Sequence, residues 1–113
     1  MRKFGSGATR DSDYGKLDYE GFTNPLVEQV FAEYMHEHRV QADGNLRDSD
    51  NWQKGIPLDA YMKSLCRHFQ DLRLHHRGYA KYAVEPDIKK VLSAIRFNID
   101  GYLLETLKCQ PTI

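Results

Sequence analysis

The sequence predicts an all-α protein: a small bundle of three main helices that follows an irregular N-terminal arm. Three segments repeat apolar residues at i, i+3, i+4 and i+7, the spacing of one helix face. No segment alternates apolar and polar residues as a half-buried strand does. A chain of 113 residues is long enough for one domain. Because one layer of three helices buries limited area, we also predict that two copies associate as a homodimer and complete a four-helix core.

The first predicted helix has a clear start. Asn24 is a good N-terminal cap, and Pro25 takes the first helical position, where its missing N–H costs nothing. Arg39 closes the last turn, where a positive charge suits the helix dipole. We expect one buried stripe on this helix, made of Leu26, Val27, Val30, Phe31, Tyr34, Met35 and His38.

The second and third predicted helices are bounded by proline and glycine. The second starts near Pro57 and ends before Gly78, and the third opens at Pro86. Cys66 falls inside the apolar pattern and is expected to be a small buried filler. The expected stripes are Leu58, Tyr61, Met62, Leu65, Phe69 and Leu72 on the second helix, and Ile88, Val91, Leu92, Ile95, Ile99, Tyr102, Leu103 and Leu107 on the third.

The chain therefore divides into an arm at residues 1–23, a helical domain at residues 24–108 and a fraying tail at residues 109–113. The arm is rich in glycine and lacks periodicity, which favours an irregular structure. Large apolar side chains nevertheless give the arm a means of docking on the body: Phe4, Tyr14, Leu17, Tyr19 and Phe22. The loop at residues 40–56 is longer than most connections in compact domains, and Trp52 argues against its being disordered.

Composition excludes several classes of protein. The net charge is zero, which argues against dedicated nucleic-acid binding. No apolar run approaches the roughly 20 residues that span a bilayer, and the N-terminus does not have the pattern of a secretory signal. Two cysteines form neither a disulfide framework nor a zinc pattern. We therefore expect a cytoplasmic protein.

Opposite charges concentrate in two separate segments. Six acids and two bases lie between Glu28 and Asp50, and five bases and one acid lie between Lys63 and Lys81. One interpretation is that two helices of opposite sign attract when they pack. The other is an acidic face that holds a cation beside a basic face that holds an anion, as a metal–phosphate substrate requires.

Two groups of side chains are candidates for chemistry. His68, Asp71 and His75 share one flank of the second helix, where they suit a divalent metal or an Asp-oriented base, or simply a hydrogen-bonded core contact. On the first helix, Glu33 and Glu37 are one turn apart, which favours either a bound cation or a solvated charged face. His36 lies between them. A single metal site requires the first and second helices to lie side by side.

A possible ligand-recognition group lies at the start of the second helix. Trp52 is either a platform for a nucleotide base or a core plug under the loop, and the adjacent Asn51 suits hydrogen bonds to a base edge. Lys54 and Arg67 are natural partners for phosphate.

Much of the first 70 residues resembles a family, encoded mostly by phages, that is called the dATP/dGTP diphosphohydrolase N-terminal domain family. The most specific part is the run Asn-Trp-Gln-Lys-Gly-Ile-Pro at residues 51–57. After Arg77 the likeness is limited to Asn98 and to Gly-Tyr-Leu at residues 101–103. The other matching segments are residues 4–11, 16–22, 34–39 and 48–50, with Arg67 and His68.

The resemblance implies an enzyme related to the all-α, MazG-like nucleotide pyrophosphohydrolases, acting in a host-cell cytoplasm. Such enzymes cleave a purine deoxynucleoside triphosphate to the monophosphate and pyrophosphate with Mg²⁺ or Mn²⁺. By this resemblance the catalytic residues are Glu33, Glu37, His68 and Asp71; the metal ligands are Glu33, His36, Glu37 and Asp71; and the nucleotide contacts are Asn51, Trp52, Lys54 and Arg67.

The sequence also departs from the signature of those enzymes. The signature is Glu-x-x-Glu followed later by Glu-x-x-Asp, and the chain contains neither. Its nearest counterparts are Glu33-x-x-His36 and His68-x-x-Asp71. A second hypothesis is therefore a non-catalytic phage interaction protein that binds a nucleotide or inhibits a host protein.

Overall fold

The computed structural model describes residues 2–109, and helices dominate it. The predicted all-α class is confirmed, with a two-stranded antiparallel sheet as a small addition in the arm. Within residues 2–109, no helix is both long enough and apolar enough to cross a membrane. The elements are β1 (Arg2–Lys3), β2 (Thr9–Arg10), α1 (Tyr19–Phe22), α2 (Pro25–Glu37), α3 (Leu58–His76) and α4 (Ile88–Lys108), with turns of 3-10 helix at Asn51–Lys54 and Ala80–Tyr82.

The three long helices start and end close to the predicted positions. Asn24 caps α2 as expected, since its side chain accepts the backbone N–H groups of Leu26 at 2.9 Å and Val27 at 3.3 Å. Asp87 caps α4 by accepting the N–H of Lys89 at 2.9 Å. Gly78 follows the end of α3 with a φ of 83°, the left-handed conformation that terminates helices. The local signals in the sequence therefore located the helix boundaries.

In the described part of the arm, β1, β2 and α1 make no close contact with the long helices. Tyr14 and Phe22 are 95% and 75% exposed, and the other large apolar side chains of the arm are exposed too. Short elements organise the arm locally, and neither was predicted: the β1–β2 pair, and α1, which Asp18 caps through the N–H of Gly21 at 2.9 Å.

Helices α3 and α4 form an antiparallel hairpin that contains the core. Tyr61, early in α3, packs on Gly101, late in α4, and no Cβ fits at Gly101 because the Tyr61 ring occupies that space. The apolar core consists of Tyr61, Val91 and Ala94. Small residues on α4 therefore let the two helix backbones approach closely.

The predicted apolar stripes are mostly not buried. Of their members only Tyr61 and Val91 are buried. The stripe of α2 has no buried residue, and Cys66, the expected filler, is exposed. The prediction was wrong because α3 and α4 meet through a narrower face that includes polar and small residues: Asp71, Ser93, Asn98 and Gly101 are all buried there.

Among the described helices, α4 is the one whose backbone lies beside α2. The two terminal nitrogens of the Arg96 guanidinium each donate to one oxygen of the Glu28 carboxylate at 3.0 Å. The same guanidinium lies 4.1 Å from the ring centre of Phe31. A second ion pair joins Lys90 to Glu37 at 3.2 Å. In residues 2–109 no Cα atom of α2 comes within 8 Å of one in α3. The expectation that the first and second predicted helices lie side by side was therefore wrong, because α4 takes the position beside each.

Candidate functional site

A groove of about 610 Å³ lies between α2, the loop that follows it, and the turn at Asn51–Lys54. Phe97 of α4 closes its far side. The volume is within the 300–1,000 Å³ that is typical of small-molecule sites. The groove is therefore large enough to hold a small-molecule ligand.

The loop after α2 folds back on itself and forms one wall of the groove. The N–H of Arg47 donates to the carbonyl of Arg39 at 2.7 Å, and Nε of Arg39 donates to the carbonyl of Arg47 at 2.8 Å. Val40 and Leu46 pair as an antiparallel bridge, and Gly44, with a φ of 84°, makes the turn. These bonds bring two arginines that are eight positions apart together at the groove.

Trp52 forms the aromatic wall of the groove. Its ring meets Phe97 edge to face, with ring centres 6.0 Å apart and an angle of 74° between the planes. Phe97 makes a similar contact with the buried Tyr61, at 5.8 Å. Trp52 is half-buried, so it packs under the loop and also lines the groove. Its packing on Phe97 agrees with the interpretation as a core plug, and its role as a platform for a base stays a prediction.

The last turn of α2 adds titratable groups. The imidazole Nδ1 of His38 lies 2.8 Å from the carbonyl of Tyr34, which favours the tautomer that carries its proton on Nδ1. The rings of His38 and Tyr34 are in tilted contact, with their centres 4.1 Å apart and 35° between their planes. Burial, then the charges of Glu37 and Glu85, raise the pKa of the Tyr34 hydroxyl. The hydrogen bond from Lys90 to Glu37 raises the pKa of the lysine, so this carboxylate already has a positive partner.

The groove brings together four of the residues that the sequence singled out: His36, Glu37, Asn51 and Trp52. The others lie elsewhere. Glu33 borders a separate cleft of about 100 Å³ that Lys90 also lines. Lys54 and Arg67 are exposed and do not line the groove, and His68 and Asp71 lie along α3.

Asp71 has a structural contact that occupies its carboxylate. The side chain is 5% exposed, and its two oxygens accept the N–H groups of Val84 and Glu85, each at 3.0 Å. One turn further along, Nε2 of His75 lies 2.8 Å from the carbonyl of Glu85. The flank that suggested a metal or a catalytic base therefore holds the linker between α3 and α4.

His68 lies on the same side of α3. Burial lowers the pKa of its imidazole below the ordinary value of 6.5, and the nearby Asp71 opposes that effect only in part. A neutral imidazole suits a half-buried position in a helix contact. This environment gives His68 a reason to be uncharged that does not involve a substrate.

The residues that the resemblance implies as metal ligands do not converge. In residues 2–109 no group of three or more His, Cys, Asp or Glu side chains is arranged to hold a metal ion. Both oxygens of Asp71 are engaged by backbone N–H groups, and Glu37 is paired with Lys90. The set of Glu33, His36, Glu37 and Asp71 therefore does not fit a shared Mg²⁺ or Mn²⁺ ion.

The sequence interpretation missed several groove residues. Arg39 was read only as a helix-terminal charge and His38 only as part of a buried stripe, whereas both line the groove. No local pattern in the sequence indicated Arg47 or Phe97. Backbone pairing within the loop brings Arg47 to the groove, and the packing of α4 brings Phe97 against Trp52.

The groove combines features that suit a flat ring with an anionic tail. Trp52 and Phe97 provide aromatic surface, and Arg39 and Arg47 provide guanidinium groups that match phosphate oxygens. A comparison of this protein with family models, curated proteins and solved structures found no match. A proposal for its function therefore rests on the geometry of the groove.

Proposed function

We propose that this protein binds a purine nucleoside triphosphate, dATP or dGTP, in the groove. The observation that carries the proposal is the meeting of one aromatic wall, Trp52, with two arginines, Arg39 and Arg47, in a space of nucleotide size. The structure supports the ring-plus-phosphate chemistry. The purine base and the deoxyribose come from the resemblance to the phage family.

Each part of the ligand has a matching part of the groove. Stacking of a base on an aromatic side chain contributes about 1–3 kcal/mol, and Trp52 is held in place for it by Phe97. Nε of Arg39 donates to the carbonyl of Arg47, so its two terminal nitrogens are the donors left for a phosphate. Asn51, at the same end as Trp52, offers an amide to the base edge.

Hydrolysis of the bound nucleotide to the monophosphate and pyrophosphate is the activity that the resemblance implies. The geometry gives it less support than binding, because Glu33 and Glu37 lie on α2, whereas Asp71 lies on α3 with both carboxylate oxygens already bonded to backbone N–H groups. Of the two hypotheses from the sequence, the better supported is a protein that holds a nucleotide without cleaving it.

Calorimetric titration of the full chain with dATP and dGTP tests the proposal. Trp52→Ala is expected to weaken binding by about 1–3 kcal/mol, which is roughly 5- to 150-fold. Arg47→Ala is expected to weaken triphosphate binding about tenfold and deoxynucleoside binding much less. The matched control is Arg67→Ala, which removes an exposed arginine outside the groove and is expected to leave the affinity within about twofold.

A pyrophosphate-release assay with Mg²⁺ and with Mn²⁺ separates binding from hydrolysis. Binding without release supports the proposal as stated. Release that Glu33→Ala or Glu37→Ala abolishes would support the hydrolase instead. The groove would be excluded as the nucleotide site if no nucleotide binds. It would also be excluded if Arg67→Ala loses as much affinity as Arg47→Ala.

A further inference from the structure

The turn at Asn51–Lys54, which carries Trp52, is shaped by its own hydrogen bonds but is not fixed on the helices by them. The N–H groups of Asn51 and Gln53 donate to carbonyls three residues earlier, at 3.0 Å and 2.9 Å. Gly55 follows with a φ of 128°, in the region that favours glycine, and separates the turn from α3. The position of Trp52 relative to the helices therefore depends on contacts that reach the turn from outside.

The last turns of α4 supply such contacts. Nζ of Lys108 donates to the carbonyl of Gln53 at 2.5 Å and to Oε1 of Glu105 at 3.0 Å. The same oxygen of Glu105 accepts the N–H of Ile56 at 3.4 Å. Lys108 therefore holds the turn itself, and Glu105 holds the backbone just beyond Gly55. Glu105 and Lys108 are called the anchor residues below.

The surroundings of Glu105 show that its carboxylate belongs to this contact and not to open solvent. Its side chain is only 16% exposed, and a carboxylate that is shielded from water needs a positive charge or hydrogen-bond donors. Lys108 provides the first and the N–H of Ile56 provides the second. Burial, then the charge of Glu105, raise the pKa of the Tyr61 hydroxyl, so the carboxylate also lies near the core. The contact is thus continuous with the packed end of the hairpin.

Helix α4 contacts the segment around Trp52 at two separate heights. Phe97 meets the indole ring edge to face, with ring centres 6.0 Å apart. Glu105 lies eight residues later on the same helix, which is about 12 Å along the axis. Two contacts at this separation restrict rotation of the turn more than either would alone. The orientation of the Trp52 ring is therefore set from α4 in the free protein.

We propose that Glu105 and Lys108 are positioning residues for the ring of the nucleotide. The described lining of the groove includes neither side chain, so both act through Trp52. A loop that must become ordered when a ligand binds lowers the affinity, because the lost conformational entropy is subtracted from the free energy of interaction. The anchor residues order the turn before the ligand arrives. This inference rests on the proposed function, since it concerns the same ligand.

The fluorescence of the ligand-free protein tests the first step. Trp52 is the single tryptophan, so the emission of the full chain reports on this ring alone. Lys108→Met removes both donated bonds and keeps a long side chain, and Glu105→Ala removes the acceptor. Each is expected to shift the emission to longer wavelength and to increase quenching by acrylamide, because the ring gains access to water. The matched control is Lys63→Met, which removes an exposed lysine of α3 that lies outside the described lining of the groove.

Calorimetric titration with dATP tests the second step. Lys108→Met and Glu105→Ala are each expected to weaken binding about fivefold or more, the lower end of what stacking on an aromatic ring contributes. Lys63→Met loses the same charge and is expected to stay within about twofold of the wild type. In a Trp52→Ala background, Lys108→Met is expected to weaken binding no further, because the ring through which it acts is gone. A general folding defect would weaken binding in both backgrounds.

The outcomes separate this inference from the proposed function. Unchanged dATP affinity in both anchor variants would overturn the inference alone, and so would unchanged Trp52 emission in both. Losses that multiply in the Lys108→Met, Trp52→Ala double variant would also overturn it, since Lys108 would then act independently of the ring. A wild type that binds no dATP would overturn the proposed function, and the positioning role with it. Circular dichroism confirms that each variant is helical, and the two anchor variants guard against a folding defect in either one.

Discussion

Replacement of Asp71 distinguishes a structural carboxylate from a functional one. In Asp71→Ala the N–H groups of Val84 and Glu85 lose the acceptors that they reach at 3.0 Å. Hydrogen bonds to a charged group contribute about 1.5–3 kcal/mol each. Water reaches part of the linker once the side chain is shortened, so the expected loss is near the lower limit for two bonds, about 3 kcal/mol.

That loss corresponds to a large change in melting temperature. With an unfolding entropy of about 2.1 cal/mol/K per residue, 113 residues give about 0.24 kcal/mol/K at the midpoint. A loss of 3 kcal/mol therefore lowers the Tm by about 12 °C. Asp71→Asn retains one acceptor oxygen and is expected to fall between the wild type and Asp71→Ala.

Thermal and urea unfolding, followed by circular dichroism, measure the effect. Asp59→Ala is the control, because Asp59 is an exposed residue in the first turn of the same helix and is worth less than about 1 kcal/mol there. Carboxylates retained for a ligand cost stability when the ligand is absent, so their removal leaves the Tm unchanged or raises it. An Asp71→Ala variant that melts within about 2 °C of the wild type, or a wild type that Mg²⁺ stabilises through Asp71, would refute the structural assignment.

Three further predictions concern other contacts. Gly101→Ala places a Cβ against the Tyr61 ring and is expected to lower the free energy of unfolding in urea by about 1–3 kcal/mol. Tyr61→Phe removes a buried hydroxyl that has no partner among the described residues, so it is expected to be nearly neutral. A neutral Gly101→Ala would contradict this packing. The pKa of His68 is lowered in the folded state, so the unfolded chain binds the proton first as the pH falls below 6.5. The contribution of His68 to stability should therefore be complete above pH 6.5 and decline below it. In measurements of Tm between about pH 7.5 and 5.5, His68→Gln should flatten that decline. Arg96→Lys keeps the charge but loses the bidentate contact with Glu28. Because both groups are partly exposed, we expect the free energy of unfolding to fall by about 1 kcal/mol. A Glu28→Gln, Arg96→Lys double variant that is no less stable than either single variant would show that the two residues act through each other.

The sequence predicted the helices well because their ends depend on local chemistry. Asn24 and Gly78 act within one turn of their own position, so no knowledge of the rest of the chain is needed to place them. The short α1 and the β1–β2 pair escaped prediction because four residues and two-residue strands produce no readable period.

The way the helices pack could not be predicted in the same manner. The stripes predicted on α3 and α4 each merge two faces, one that contains Tyr61 or Val91 and packs internally, and one that stays exposed. Hydrophobicity does not separate them, since the internal face also contains Asp71 and Asn98, which a pattern search treats as polar surface. The candidate site was found only in part for a related reason. Trp52 stands out as the single tryptophan, whereas Arg47 enters the groove through a backbone pairing that no spacing rule reveals.

The attachment of α2 has a consequence for how the groove responds to its surroundings. This helix contributes no buried residue, and ion pairs at Glu28 and Glu37 hold much of its length on α4. Exposed ion pairs weaken as salt shortens the Debye length from about 10 Å at 0.1 M to about 3 Å at 1 M. We therefore expect amide protons of α2 to exchange earlier than those of α3 and α4 as ionic strength rises. At high salt, the side of the groove that α2 forms would then become more mobile, while the α3–α4 hairpin keeps its structure.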